Sequence, residues 1–200
     1  MGMEHIQLKR RLFTIEEYER MIDAGVFDED EPIELIRGEI VISGEVVLEG
    51  EIGPQHAACV ARLTMLLARK AGDSAIVWVQ NPIQLTNNSQ PEPDVALLRP
   101  RSDFYSSTRP APDDIITIIE VVGSSIHYDR DMKVQLYAEA RVSEVWLVLL
   151  SHDVIEIYTV PVEGEYKNFR RLAPGETLAL PAQIGGSVEV SYILGQEGEI

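Results

Sequence analysis

The fold is decided by one stretch of the chain, Ile115-Ile116-Thr117-Ile118-Ile119-Glu120-Val121-Val122. Every residue in it except Glu120 is β-branched, which predicts a strand packed inside a sheet. A helical pattern follows over about 128–140, and a second apolar run, Glu144 to Leu150, predicts another central strand. This strand-helix-strand unit predicts a mixed α/β (α+β) protein in which helices flank a central β-sheet.

Other segments carry the signals of further elements. A capping box at Thr14 to Glu17 predicts a helix over about 14–24, and apolar spacing followed by Gly72 predicts a long helix from Pro54 to Ala71. A hairpin is predicted over 33–42, with its turn at Arg37-Gly38. Further strands are predicted over 75–79, 82–85, 94–98 and 154–160, and segments near 166–172 and 187–193 predict a peripheral β extension.

Composition limits the class of protein. The chain has 200 residues, of which 45% are hydrophobic and 25% charged, so one globular domain is predicted, and disorder and collagen-like structure are excluded. The longest apolar run, Val145 to Leu150, is far shorter than the roughly 20 residues of a membrane span, and no signal region follows the N-terminus. We expect a soluble cytoplasmic protein without membrane contact, in which the single cysteine, Cys59, is a buried apolar group.

The net charge is strongly acidic. A formal charge of −16, from 33 acidic and 17 basic side chains, argues against binding nucleic acid by bulk electrostatics. Any contact with nucleic acid must therefore be local. The acids concentrate between Asp28 and Glu51, whereas Lys9-Arg10-Arg11 and the loop that carries Arg99, Arg101 and Arg109 are basic.

Two acids stand at positions where a cation could bind. Asp94 follows Pro91-Glu92-Pro93 and opens a hydrophobic strand, so its carboxylate is held at the end of the sheet. An ordinary turn aspartate is the alternative. Glu120 interrupts an apolar strand, where a lone carboxylate is costly to bury unless it is paired or binds a cation. The alternative is an edge strand on which Glu120 faces water.

A lysine follows at helical spacing. Asp129, Lys133 and Tyr137 recur every four residues and share one face if the helix forms. An exposed Asp129–Lys133 ion pair is the alternative interpretation. A lysine beside two metal-bound carboxylates stabilises the charge that develops on a phosphate. Carboxylate oxygens favour Mg²⁺ or Mn²⁺, and zinc is not expected because the histidines lack the spacing of a zinc motif.

Taken together, the motifs of this sequence resemble those of the Uma-two family, a domain family of unknown function in the PD-(D/E)XK nuclease superfamily. The motifs that carry the resemblance are Pro93-Asp94, Ile119-Glu120-Val121-Val122, Asp129-x₃-Lys133-x₃-Tyr137, Glu144-Val145-Trp146-Leu147-Val148, the hairpin Glu34-Leu35-Ile36-Arg37-Gly38-Glu39-Ile40, and His56 at the start of the long helix. The resemblance covers about residues 12–160 of a single domain spanning 1–200, and leaves about 161–200 as a C-terminal β extension.

The resemblance implies a restriction-endonuclease-like fold and a set of site residues. It implies that Asp94 and Glu120 ligate the metal and that Lys133, supplied from a helix, replaces the superfamily's strand lysine. His56 and one of Glu34 or Glu39 would complete the pocket.

The leading hypothesis is a Mg²⁺- or Mn²⁺-dependent endonuclease that hydrolyses DNA phosphodiester bonds. Asp94, Glu120, Lys133 and His56 would be catalytic, and the DNA backbone would be held by Arg99, Arg101 or Arg109. A homodimer would present two clefts to two strands. Two alternatives stay open: a binding module without activity that uses the acidic segment 28–51, and a hydrolase of small phosphate esters.

Overall fold

A computed structural model of the chain describes residues 9–28, 31–42, 53–123 and 132–196. The strands are β1 Ile33–Ile36, β2 Glu39–Ile42, β3 Ile76–Val79, β4 Val95–Leu98, β5 Ile115–Val122, β6 Glu144–Leu149, β7 Val154–Val162, β8 Glu165–Leu172, β9 Thr177–Ala179 and β10 Ser187–Glu189. The helices are α1 Ile15–Asp23, α2 Pro54–Ala71, α3 Val134–Glu139 and α4 Val190–Leu194.

A six-stranded mixed sheet forms the centre, in the order β3-β4-β5-β6-β7-β8. Its neighbours pair antiparallel except β5 and β6, which are parallel because the chain returns through α3 before it re-enters the sheet. The decisive stretch is β5 over its whole predicted length, and all eight of its residues are buried. The prediction of a mixed α/β fold with a central sheet and flanking helices is therefore confirmed.

The two faces of the sheet are covered by different helices. On one face, α2 packs Leu63 and its apolar neighbours against β4, β5 and β6 residues that include Ile119. On the other face, α3 packs Leu136 and Tyr137 against residues that include Ile118. Since side chains alternate along a strand, Glu120 lies on the α3 face with Ile118. This alternation places Glu120 on the face of the sheet that α3 covers, within reach of residues from that helix.

The hairpin of β1 and β2 and the helix α1 form a third apolar cluster beside this sheet. Thr14 caps α1 through the predicted capping box. Gly38, in the hairpin turn, has φ +81, and a Cβ there would lie only 2.7 Å from the Cβ of Leu12. This turn therefore requires glycine both for its backbone angle and for the close approach of the chain.

One strand prediction was wrong, and a second is confirmed over only part of its length. The segment from Pro82 to Leu85 forms no strand, because its backbone amides bond to loop carbonyls, as Ile83 does to Pro91 and Gln84 to Pro110. The predicted strand near 187–193 is the short β10, followed by α4. The peripheral sheet is β9 with β10, whereas β8 joins the central sheet as its edge strand. Of the helix predicted over 128–140, the structure describes the part that includes α3.

Cys59 is fully buried beneath α4, and its burial raises the pKa of the thiol to about 12. The prediction that Cys59 is buried among apolar residues is confirmed. Across the described ranges, none of the helices combines the length and the apolar character that a membrane span needs.

Candidate active site

Asp94 and Glu120 lie side by side at one end of the sheet. The antiparallel register of β4 and β5 pairs Val95 with Ile119. Asp94, which precedes Val95, therefore lies opposite Glu120, which follows Ile119. The backbone N–H of Asp94 donates to Glu120 Oε2 at 3.3 Å, and the backbone N–H of Val121 donates to Asp94 Oδ2 at 2.8 Å. Strand pairing thus holds the two predicted metal ligands together.

Lys133 joins this pair to a third acid, Glu34 of β1. Its Nζ lies 3.4 Å from Glu120 Oε1 and 3.3 Å from Glu34 Oε1. All three residues are at least nine-tenths buried. One ammonium group is therefore shared by two buried carboxylates, and the alternative of an exposed ion pair on the helix surface does not describe Lys133. Asp129 lies outside the described residues.

Tyr137 supports Glu120 from α3. Its hydroxyl donates to Glu120 Oε1 at 2.5 Å, and the ring is fully buried. Lys133 precedes α3 directly, and Tyr137 stands one turn further along, so both side chains reach the same carboxylate. The predicted helical spacing of Lys133 and Tyr137 is realised as two contacts with one strand glutamate.

His56 reaches Asp94 from the opposite direction. It lies in the first turn of α2, which begins at Pro54, and its Nε2 is 3.1 Å from Asp94 Oδ2. The two side chains are 11% and 16% exposed, so solvent reaches the contact. The contact places the predicted histidine next to the predicted aspartate.

The exposed side of the site, its mouth, carries the charged residues Glu92 and Arg109. The backbone N–H of Glu92 donates to Glu34 Oε1 at 2.8 Å. The side chain of Glu92 is exposed, yet the packing around its carboxyl group and then the charge of Glu34 raise its pKa, while Arg109 and Lys133 oppose this shift. Arg109 lies close by and pairs with Glu19 of α1 at 2.9 Å. Arg109 is thus the predicted DNA-binding arginine that stands near the acids.

Three other predicted residues lie elsewhere. Glu39 is exposed on β2 and pairs with Arg10 at 2.8 Å, so of the two alternative glutamates it is Glu34 that lies among the buried acids. Arg99 and Arg101 follow β4, at the end opposite Asp94. Arg99 donates to the carbonyl oxygen of Asp113. Arg101 is held by Asp103 and lies over the ring of Tyr105, 4.2 Å from its centre.

Sequence reasoning missed Gln80, whose carboxamide nitrogen lies 3.4 Å from Asp94 Oδ1. Gln80 directly follows β3, the edge strand beside β4. No local pattern marks it, because only the pairing of β3 with β4 brings it to Asp94. The one available signal was a polar residue at the end of a predicted strand.

The donor set fits a hard divalent cation better than zinc. Within the described ranges, no group of three or more His, Cys, Asp or Glu side chains is arranged to enclose a metal ion. Mg²⁺ is usually held by one or two carboxylates, with water and substrate phosphate completing its shell. Glu34 Oε2 is buried and has no hydrogen-bond partner among the described residues. The carboxylates at this site therefore retain capacity for a cation or for water.

Comparison with known proteins identifies the family and the fold of the chain. The sequence profile of the Uma2 family, described as "Putative restriction endonuclease", matches residues 15–191. Among solved structures, the chain is similar to a putative nuclease belonging to DUF820 from Anabaena variabilis ATCC 29413, with a TM-score of 0.67 and 13% sequence identity. This match covers 92% of the chain and 98% of the other protein, and it shows that the two proteins share a fold. No match was found among curated proteins. A chain matched by the profile over most of its length belongs to the Uma2 family, the putative restriction endonucleases.

Proposed function

We propose that this protein is a metal-dependent endonuclease that hydrolyses phosphodiester bonds of DNA. The proposal rests on one observation above all: Lys133 contacts Glu120 and Glu34 at 3.4 and 3.3 Å, next to Asp94. Burial of a lysine between acids costs stability, and such a cost is typically retained at functional sites. Phosphoester hydrolysis uses this combination of a cation site and a fixed positive charge.

Asp94 and Glu120 are the residues that would hold Mg²⁺ or Mn²⁺. When bound, such an ion supplies positive charge beside a phosphate and lowers the pKa of water at the site. The contribution of the chain is to orient the two carboxylates before the ion arrives. Val121 and Tyr137 do so through hydrogen bonds of 2.8 and 2.5 Å. A site held in this way loses little conformational entropy on binding.

Lys133 would stabilise the negative charge that develops on the scissile phosphate. Glu34 contacts the same ammonium group as Glu120 and so helps to keep it near the metal ligands. Because the lysine is 7% exposed, its charge acts through a medium of low polarity, where electrostatic stabilisation is strong. Lysine also supplies a compact charge, whereas arginine presents a planar fork.

His56 would work on the solvent side of the site. A histidine 3.1 Å from Asp94 Oδ2 orients that carboxylate and stands where water or a leaving oxygen approaches. Arg109, at the mouth, would contact the DNA backbone locally, as an acidic protein requires. Arg99 and Arg101 stand at the opposite end of β4, so they would contact DNA only where it extends beyond the site.

The test is the nicking of supercoiled plasmid by purified protein across a titration of Mn²⁺ and Mg²⁺. We expect nicking that requires the ion and that falls by about 100-fold or more in Asp94→Asn and Lys133→Met. A homodimer that cuts both strands in one encounter would yield linear plasmid, whereas single sites yield nicked circles first.

Glu39→Gln is the matched control, because it removes an exposed carboxylate of the same hairpin that lies outside the buried cluster. It should nick as fast as the unmodified protein. Equal nicking by all four proteins would identify a contaminant and contradict the assignment, as would an absence of nicking with folded protein at every ion concentration.

The charge of the protein favours a second candidate, a hydrolase of small phosphate esters. The net charge is −16, and Arg101 and Arg109 are both paired with acids of the chain, so a long basic track for DNA is not formed by these residues. A small substrate requires no such track. Cleavage of a chromogenic phosphodiester without nicking of plasmid would support this candidate over the endonuclease.

A further inference from the structure

We infer that Gln80 is a positioning residue for Asp94, and its meaning for catalysis rests on the function proposed above. The register of β3 and β4 ends with Val79 opposite Val95, which leaves Gln80 opposite Asp94. The backbone N–H of Gln80 donates to the carbonyl oxygen of Asp94 at 3.1 Å. Main-chain pairing therefore fixes the position of Gln80 independently of its side chain.

The side chain completes the set of donors around Asp94. Gln80 Nε2 lies 3.4 Å from Oδ1, whereas the backbone N–H of Val121 and the imidazole of His56 lie 2.8 and 3.1 Å from Oδ2. Contacts with both carboxylate oxygens prevent free rotation of the group. The contacts come from three parts of the chain, and the two made by side chains, those of Gln80 and His56, can be removed separately.

Neither backbone conformation nor core packing favours a glutamine side chain at position 80. The φ of Gln80 is +47, in the left-handed region that glycine and asparagine adopt at lower cost. Strain of this kind concentrates at functional sites, where other constraints retain it. The side chain is exposed, and it contributes little to a core. A long carboxamide at a strained, exposed position is explained by its reach to Asp94.

Substitution of Gln80 should therefore affect cation binding without affecting the fold. Loss of the carboxamide should leave the fold intact, because Ala tolerates the left-handed backbone about as poorly as Gln does. It should weaken cation binding, because Asp94 then samples orientations that do not bind. Residues that orient metal ligands typically change affinity by 10-fold or more.

The first measurement is a double-mutant cycle in the presence of EDTA, with Gln80→Ala, Asp94→Ala and the double variant. If Gln80 contacts Asp94, the loss in Tm of the double variant should be about 1–3 °C smaller than the sum of the two single losses. Additive losses would overturn the inference. The cycle needs neither metal nor activity, so it stands apart from the proposed function.

The second measurement is Mn²⁺ binding by isothermal titration calorimetry. Gln80→Ala should raise the dissociation constant about 10-fold. Gln80→Asn suits the left-handed backbone but is one methylene too short to reach Asp94, so it should raise the dissociation constant to a similar extent. Asn168→Ala is the control, since it removes an exposed carboxamide from β8 at the opposite edge of the sheet.

An unchanged dissociation constant in Gln80→Ala contradicts the inference. If the unmodified protein binds no Mn²⁺, the proposed function fails, and the double-mutant cycle alone decides the role of Gln80.

Discussion

Two glutamates lie in one row of the central sheet and differ in their surroundings. Glu120 of β5 and Glu156 of β7 both pair with Leu147 of β6, one from each side, so they share a face. Each is at least 97% buried and accepts a hydrogen bond from a tyrosine, Tyr137 at 2.5 Å and Tyr158 at 2.7 Å. Both interrupt apolar stretches of similar composition, as Ile119-Glu120-Val121 and Ile155-Glu156-Ile157 show.

Glu156 and Glu120 differ in the basic side chain that each contacts. Arg171, opposite Glu156 on β8, places Nη2 and Nε at 2.6 and 3.2 Å from Glu156 Oε1, and its side chain is 54% exposed. Lys133 is instead buried and shared between Glu120 and Glu34. Glu156 thus has an arginine of its own that reaches water, which is typical of a structural pair. Glu120 belongs to a cluster in which carboxylates compete for one ammonium group, which is typical of a functional site.

The sharpest test of this comparison is the pair Glu120→Gln and Glu156→Gln, assayed for plasmid nicking and for thermal unfolding. Glu120→Gln should reduce nicking by about 100-fold or more, because a cation ligand is lost, with a small change in Tm. Glu156→Gln should retain activity and lose about 2 kcal/mol, which lowers Tm by about 4–8 °C. The comparison fails if both variants lose activity, or both lose stability, to the same extent.

A second test concerns the sharing of Lys133. Glu34→Gln removes one competing carboxylate and keeps an oxygen for the N–H of Glu92. Since two buried carboxylates share one ammonium group, the loss of the negative charge of Glu34 relieves their repulsion, and we expect an increase in stability of about 1 kcal/mol, or 2–4 °C in Tm. Nicking should fall about 10-fold as Lys133 becomes less well held.

Glu39→Gln, on the exposed side of the same hairpin, should change neither Tm nor nicking. If Glu34→Gln is less stable than the unmodified protein, Glu34 and Lys133 form a structural pair like Glu156 and Arg171, and the distinction between the two regions is lost.

The smallest effect concerns Glu144, at the start of β6. Burial raises the pKa of this carboxyl group, although the indole of Trp146 donates to it at 2.6 Å and opposes the shift. A raised folded-state pKa means that the folded protein binds the proton more tightly than the unfolded chain. Glu144 therefore destabilises the fold progressively as pH rises through and above its ordinary range.

Glu144→Gln should accordingly raise Tm at pH 7 by no more than about 2–4 °C and leave it nearly unchanged at pH 4. Thermal unfolding at both values measures this. An equal gain at both values would show that charge is not the cause, and a loss at pH 7 would reverse the sign assigned here.

Local pattern predicted most elements because their signals are short-range. The capping box of α1, the turn at Gly38 and the β-branched run of β5 each depend on neighbours within a few residues. The failure at Pro82 to Leu85 has the opposite cause. Its apolar residues resemble a strand, but their amide partners are carbonyls of distant loops, and no local rule identifies them.

The residues of the site also fall into two groups, those that local pattern identifies and those that only tertiary contacts identify. A carboxylate inside an apolar strand identified Glu120, and helical spacing related Lys133 to Tyr137. The same rule did not single out Glu156, whose partner Arg171 is recognised only through the register of β7 and β8. The sequence also does not distinguish Glu34 from Glu39, because both lie on one hairpin and only its packing shows which is buried.

By itself, the sequence determined the chemistry available and the local conformation: which segments are strands or helices, and that acids and a lysine interrupt them. These properties depend on residue type and on neighbours close in the chain. Tertiary structure alone decided which acids meet which cations, that Lys133 lies between two glutamates, and that Gln80 stands beside Asp94. Such contacts join residues far apart in sequence, and sheet register and helix packing, which depend on the whole core, bring them together.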